Sequence, residues 1–204
     1  MSTLTVVRHA QARPFEKNSD CLSDLGEQQA RALHTYFGGS RFDEVWCGSL
    51  TRHCQTAALA IDKQPQVSSD WNEYDVEGIL HGYPHPSTFP SNREFQKIFE
   101  SAMEKWIEGV SSGESFADFH SRVLRGLRRI QEGPSNRRVL LFTSGGPIGV
   151  LVQTALNAPP RSFADVNWRV RNCSITELIL SATRLSLDSF NAVSHLDPAL
   201  RTFR

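Results

Sequence analysis

At 204 residues the chain is long enough for one well-buried core, and a single domain over 1–204 is expected. Lysine plus arginine equals aspartate plus glutamate at 22 each. No net field therefore draws nucleic acid or an anionic membrane, and an acidic ligand has to be held by local positive charge. The N-terminus lacks a basic stretch followed by an apolar one, and no apolar run approaches the roughly 18 residues of a membrane span, so a soluble, cytoplasmic protein is expected. Cys21, Cys47, Cys54 and Cys173 form no CxxC pair, which suits reduced thiols better than a disulfide framework or a zinc site.

Leu4 to Val7 is a short, β-branched apolar run that predicts a buried parallel strand, and it ends on Arg8 and His9. In open α/β sheets that end of a strand is where ligands bind. A histidine with an ordinary pKa of about 6.5 is a substantially neutral nucleophile near pH 7, and an adjacent arginine offers a fork of donors matched to phosphate oxygens. The same dipeptide can also simply end a strand. A polar loop, Ala12 to Cys21, then leads to a helix capped by Ser23, with Leu25, Ala30, Leu33, Tyr36 and Phe37 as its apolar stripe and Gly38-Gly39 as its stop. Phe42 to Cys47 predicts a second strand. Gly48 to Arg52 opens a helix through Ile61, and Arg52 falls in its first turn, where free N–H groups and the helix dipole favour an anion. Taken alone, Arg52 reads first as a surface charge.

Pro65 to Asp70 is a loop or a third strand, and Trp71-Asn72-Glu73-Tyr74-Asp75 follows. From Gly78 to Asn92 glycine, proline, histidine and serine predict a loop. A metal at His81 and His85 is poorly supported, because the prolines prevent an i,i+4 helical pair and no third ligand is evident. Helices are expected over Asn92 to Glu108 and Phe116 to Glu132, and the region 78–132 is expected to form a helical cap over the sheet rim, where specificity would reside. Arg138 to Phe142 predicts a strand that breaks into Thr143-Ser144-Gly145-Gly146-Pro147, from which a helix, Ile148 to Leu156, departs. A strand, a glycine turn and a helix N-terminus form an anion cradle, without the GxxxxGK[ST] spacing of a P-loop. A tight turn with no ligand fits these residues equally well. Ser174 to Leu180 and Arg184 to Val193 predict a closing hairpin, whose exposed edge offers a surface for a homodimer.

Alternating strands and helices argue for an α/β fold: a mostly parallel sheet with helices on both faces and an antiparallel edge. Arg8-His9, Arg52 and Ser144-Gly145 then lie on turns that share one rim.

At this point the sequence resembles the histidine phosphatase superfamily, the phosphoglycerate mutase-like fold. Val7-Arg8-His9-Ala10 is similar to its Arg-His-Gly/Ala signature, Leu22-Ser23-Asp24-Leu25-Gly26 to its loop-to-helix junction, and Ser49 to Ala57 to its second arginine motif. Trp71 to Asp75 is similar to its acidic segment, and Ser194-His195-Leu196 to a common ending. The resemblance implies an enzyme without metal or organic cofactor. His9 would attack phosphorus and become transiently phosphorylated, while Arg8 and Arg52 hold the equatorial oxygens. Glu73, ahead of its neighbours Asp75 and Glu77, would protonate the leaving group. One position departs from the pattern. The late motif normally reads Ser-His-Gly-Gly, and here Ser144 stands where the second histidine belongs, followed by Gly145 and Gly146. A hydroxyl donates one hydrogen bond and carries no positive charge, so transition-state support should weaken by roughly 1.5–3 kcal/mol, about one to two decades in rate. His53, His81 and His85 are candidate substitute donors, and His195 is read as structural. The expected activity is phosphomonoester hydrolysis on a small phosphorylated metabolite or a phosphoprotein. Mutase transfer ranks below it, because nothing marks a pocket that shields a phosphoenzyme from water. The rival is a weak or inactive module on the same fold that binds a phosphate-bearing ligand or a protein.

Overall fold

Six short strands hydrogen-bond into one sheet in the computed structural model, which describes residues 1–13, 20–86 and 91–203. Most of the polar loop expected over Ala12 to Cys21, and part of the segment expected as a loop before Asn92, lie outside the described residues. The strands are β1 (Ser2–Arg8), β2 (Glu44–Cys47), β3 (Gln66–Val67), β4 (Arg138–Thr143), β5 (Ile175–Leu180) and β6 (Leu185–Ala192), in spatial order β3-β2-β4-β1-β5-β6. The first four of that order run parallel, while β5 is antiparallel to β1 and β6 to β5. Parallel neighbours need crossovers, and helices supply them on both faces.

Alternation of side chains along each strand divides the core in two. Leu4, Val6, Val139, Leu141, Leu178 and Leu180 face a layer made of α4 (Asn92–Ile107), α5 (Phe116–Gln131), α6 (Gly145–Ala155) and α7 (Ser162–Asn167). Val7, Val45, Cys47, Leu140, Phe142 and Ile175 face α1 (Asp24–Phe37) and α2 (Thr51–Ala60). Each large apolar side chain so buried contributes about 1.5–3 kcal/mol, and the site is built on that rigid base. Register then positions the rim. Arg8 pairs with Thr143 and Cys47 with Phe142, so β1, β4 and β2 end nearly level, and His9, Ser144 and Gly48 leave the sheet side by side. Among the described residues no helix is long and apolar enough to cross a membrane.

Two expectations need correction, and two features add to the expected fold. The segment from Gly78 is not loop throughout: α3 spans Val76–His81, because the Asp75 carboxylate accepts from the Gly78 N–H at 3.0 Å and Ile79 is buried, a local cap that outweighs the glycine-rich composition. Ser144-Gly145-Gly146 is not a turn ahead of a helix at Ile148. Ser144 is the N-cap and α6 begins at Gly145, with Pro147 in a first turn whose N–H groups have no intrahelical partner to lose. The short helix α7 was not expected; it is held by the buried Phe163 and Ala164. Finally, the two long helices of the expected cap region differ in placement. α5 covers the sheet face from rim to base, since Phe119 packs at Tyr74 while Ile130 shares a cluster with Leu180 and its neighbour Gln131 donates to the Ser181 carbonyl. Its stripe of Phe116, Phe119, Val123, Leu127 and Ile130 is long enough to match a whole strand. α4 lies toward the rim, where Phe99 and Trp106 pack on Tyr74.

Candidate active site

His9 follows β1 directly, and the residue is only 7 % exposed. Its Nδ1 lies 2.7 Å from the Ala10 carbonyl. A carbonyl can only accept, so Nδ1 carries the proton and Nε2 keeps its lone pair. Burial first, then the charges of Arg52 and Arg8, then His53, hold the His9 pKa well below the usual imidazole range. The ring is therefore neutral at pH 7, with a lone pair in a strongly positive field. Its backbone is fixed from two sides, the N–H donating to the Thr143 carbonyl at 2.8 Å and the carbonyl accepting from Asn172 at 3.1 Å.

Two arginines create that field. Arg8 donates through Nη1 to the carbonyls of Val170 and Phe203, the latter at 2.8 Å, which ties the C-terminal segment to the rim. Arg52, in the first turn of α2, donates through Nη1 to Asp20 at 2.5 Å, and the other oxygen of that carboxylate accepts from the Thr51 N–H at 2.6 Å. An anionic group thus already sits where the helix dipole and Arg52 favour one. A guanidinium has five N–H donors, so one bond to Asp20 leaves capacity for an incoming anion.

Glu73 is the acid. Its Oε1 accepts from the backbone N–H groups of Gly146 at 3.0 Å and Tyr74 at 3.3 Å. Burial pushes its pKa up, against the opposing pull of Arg52 and Arg8, so protein at this site holds a carboxyl in its protonated form to higher pH than water would. Gly146 is required here, since a Cβ on it would stand 2.1 Å from that oxygen. The segment carrying Glu73 is clamped from α5: Arg122 donates to the carbonyls of Ser69, Asp70, Asn72 and Glu73 at 2.7–3.3 Å and pairs with Glu114 at 2.5 and 2.9 Å. Arg122→Ala should cost about 2–4 kcal/mol in urea unfolding, because it removes a charged donor from the carbonyls of Asp70, Asn72 and Glu73 and unpairs a partly buried carboxylate. It should also lower the turnover of any phosphate ester while inorganic phosphate binds as before; unchanged turnover would show that the clamp does not position Glu73.

Ser144 is fully buried, and its Oγ lies 2.6 Å from His53 Nε2. The His53 ring centroid is 5.6 Å from that of His9. Gly145 packs on Asn167, whose amide donates to the Tyr74 hydroxyl at 3.0 Å, and a Cβ on Gly145 would approach Asn167 Oδ1 to 2.7 Å. Arg8, His9, Arg52, Glu73, Ser144 and Gly145 are therefore gathered at one rim. The neighbouring acids are elsewhere: Asp75 caps α3 and Glu77 is exposed in its first turn. His81 is exposed at the end of α3, and His85 is exposed with Nδ1 on the Pro86 carbonyl at 2.9 Å. Of the three histidines considered as substitute donors, His53 touches Ser144. His195 donates to the Cys173 carbonyl at 3.0 Å and packs on Tyr36. Among the described residues no three His, Cys, Asp or Glu side chains are grouped to hold a metal ion. Asp20 and Arg122 were missed in the sequence. Neither lies in a motif, and each acts on partners far along the chain.

A sequence profile of the histidine phosphatase superfamily (branch 1) matches residues 4–193. The chain is 27% identical over 187 residues to a probable phosphoglycerate mutase of Erwinia tasmaniensis, covering 87% of this chain and 85% of that one. It is 27% identical over 154 residues to the adenosylcobalamin/alpha-ribazole phosphatase of Escherichia coli K12, covering 74% and 72%. A phosphoserine phosphatase variant from Entamoeba histolytica superposes with a TM-score of 0.73 at 21% identity, over 96% of this chain and 100% of that one. The mycobacterial glucosyl-3-phosphoglycerate phosphatase does so with a TM-score of 0.68 at 22% identity, over 96% and 99%. At such identities the structural likeness speaks for the fold alone. The profile runs from within β1 to just past β6, and on that span this chain belongs to the histidine phosphatase superfamily.

Proposed function

We propose that the protein is a metal-independent phosphatase that hydrolyses phosphomonoesters of small metabolites through a transient phosphohistidine at His9. The observation that carries this reading is the Nδ1 contact with the Ala10 carbonyl, which leaves Nε2 unprotonated beside two guanidinium groups. Nε2 attacks phosphorus in line as the ester P–O bond breaks, and the departing alkoxide takes the Glu73 proton. Water then attacks phosphorus in line, giving its proton to the Glu73 carboxylate, and as the P–N bond breaks Nε2 recovers its electron pair and phosphate leaves. Arg8 and Arg52 hold the equatorial oxygens as charge shifts. Support for a small-metabolite substrate comes from the sequence relative named as an adenosylcobalamin/alpha-ribazole phosphatase. The reading places hydrolysis ahead of mutase transfer, although one relative is named a probable phosphoglycerate mutase.

Rapid alkaline quench during turnover of 4-nitrophenyl phosphate tests it, because phosphohistidine survives alkali and is lost in acid. The expected result is an alkali-stable label on the peptide containing His9, and retention of configuration at phosphorus from two successive inversions. Inversion would mean direct attack by water. Phosphate binding with no turnover from about pH 4 to 9, a range that spans the working pKa values of an imidazole and a carboxyl, would make the protein a binding module.

A further inference from the structure

Three residues from three elements fit one another at the rim in a way that neither packing nor the steps above require. His53, the third residue of α2, is fully buried, with Nε2 2.6 Å from the Ser144 hydroxyl. Its Nδ1 has no hydrogen-bond partner and faces Gly48, where a Cβ would stand 2.1 Å from Nδ1 and 2.8 Å from Cε1. Ser144 is equally buried and makes no side-chain bond to the helix it caps. Room for the ring is thus made from both sides, by a residue with no side chain at 48 and a small one at 144. A buried imidazole with one nitrogen unsatisfied is costly, and an apolar residue would fill the space without that cost. Groups kept at such a cost next to a nucleophile point to chemistry.

We propose that His53 supplies, from α2, the imidazole that supports the phosphoryl group at this site, working through the Ser144 hydroxyl. The inference rests on the phosphohistidine reading of His9. If Nδ1 carried the proton, an N–H donor would be buried against Gly48. With the proton on Nε2, His53 donates to Ser144 Oγ, and the Ser144 O–H is turned outward to donate to a phosphoryl oxygen. Successive hydrogen bonds polarise one another, so a neutral hydroxyl backed in this way is a better donor than serine alone. In this reading the Ser144 hydroxyl, closed to solvent in the structure, meets the anion when it binds, and His53 is a positioning residue. The resemblance placed Ser144 where related chains carry a histidine in the strand-to-helix turn. Here the ring that reaches Ser144 comes from α2, with Gly48 and Ser144 leaving room for it.

A double-mutant cycle on the full chain tests this, with kcat and KM for 4-nitrophenyl phosphate and thermal unfolding for each variant. His53→Ala and Ser144→Ala should each lower kcat about ten- to a hundredfold while KM moves much less, and the double variant should lose little more than either single, because both break one chain of bonds. His53→Gln, whose amide N–H can occupy the Nε2 position, should keep most of the rate. Ser144→His alone should lower the rate, since two rings would compete for one space. Combined with His53→Ala it should recover about tenfold or more over His53→Ala, and because its ring refills the space, it reads the same role if His53→Ala fails to fold. Full kcat in His53→Ala, additive losses in the double variant, or no recovery in the relocated one would overturn the proposal. Failure of the phosphohistidine reading shows separately, in the wild-type quench and in His9→Ala.

Discussion

Replacing His9 by alanine is expected to lower turnover of 4-nitrophenyl phosphate by about four orders of magnitude or more, since the atom proposed to attack is removed and only bound water remains to displace the ester. Phosphate binding should survive, because Arg8 and Arg52 are anchored independently of the ring, to the Val170 and Phe203 carbonyls and to Asp20. Inorganic phosphate measured by calorimetry should therefore bind within about tenfold of the wild type. The pH dependence carries a second signature. Nucleophilic attack needs the neutral ring, and the His9 pKa is lowered by burial and by Arg52 and Arg8. The neutral form thus persists as the pH falls, and kcat/KM should hold through pH 6.5 and fall only through the lowered value. An acid limb centred at about 6.5, the ordinary imidazole value, would place the nucleophile elsewhere or in water.

Glu73→Gln should produce the next largest effect, and its size should depend on the leaving group. With an alkyl phosphate, whose alkoxide must be protonated as it departs, kcat should fall about a hundred- to ten-thousandfold. With 4-nitrophenyl phosphate the departing phenolate needs no proton, so the phosphorylation step should suffer far less. The side chain is nearly isosteric, and its carbonyl can still accept from Gly146 and Tyr74, so folding should be preserved. Acid catalysis by Glu73 requires the protonated form, and burial raises its pKa, so that function is present below the raised value and lost as the pH climbs through it. The wild-type profile with an alkyl ester should be a bell bounded on the acid side by His9 and on the alkaline side by Glu73. Equal losses for both leaving groups would show that Glu73 does not donate the proton.

Several parts of this arrangement were legible from short-range pattern. The β-branched run ending at Arg8-His9, the Ser23 cap, Arg52 at the start of α2 and the strand of 138–143 all follow from periods of two or 3.6 and from caps that act within one turn. The α3 helix was legible in principle, since Asp75 is a capping residue three positions before Gly78; a composition-based reading outvoted it. The start of α6 was misplaced for the opposite reason: two glycines read as a turn, and only packing against Glu73 and Asn167 shows why they must sit inside the helix.

By itself the sequence determined the alternation of strands and helices, the parallel sheet with its antiparallel edge, and the presence of two arginines, a histidine and a carboxyl in turns that such a sheet brings to one side. Tertiary structure decided the rest. Which of three histidines meets Ser144 depends on a contact across 91 residues, the tether of Arg8 spans 162, and the grip of Arg122 on the Glu73 carbonyl spans 49. Periodicity and capping encode forces that act over a few residues. The strand order β3-β2-β4-β1 and its register, which make those distant groups neighbours, arise from closing one apolar core on both faces of the sheet.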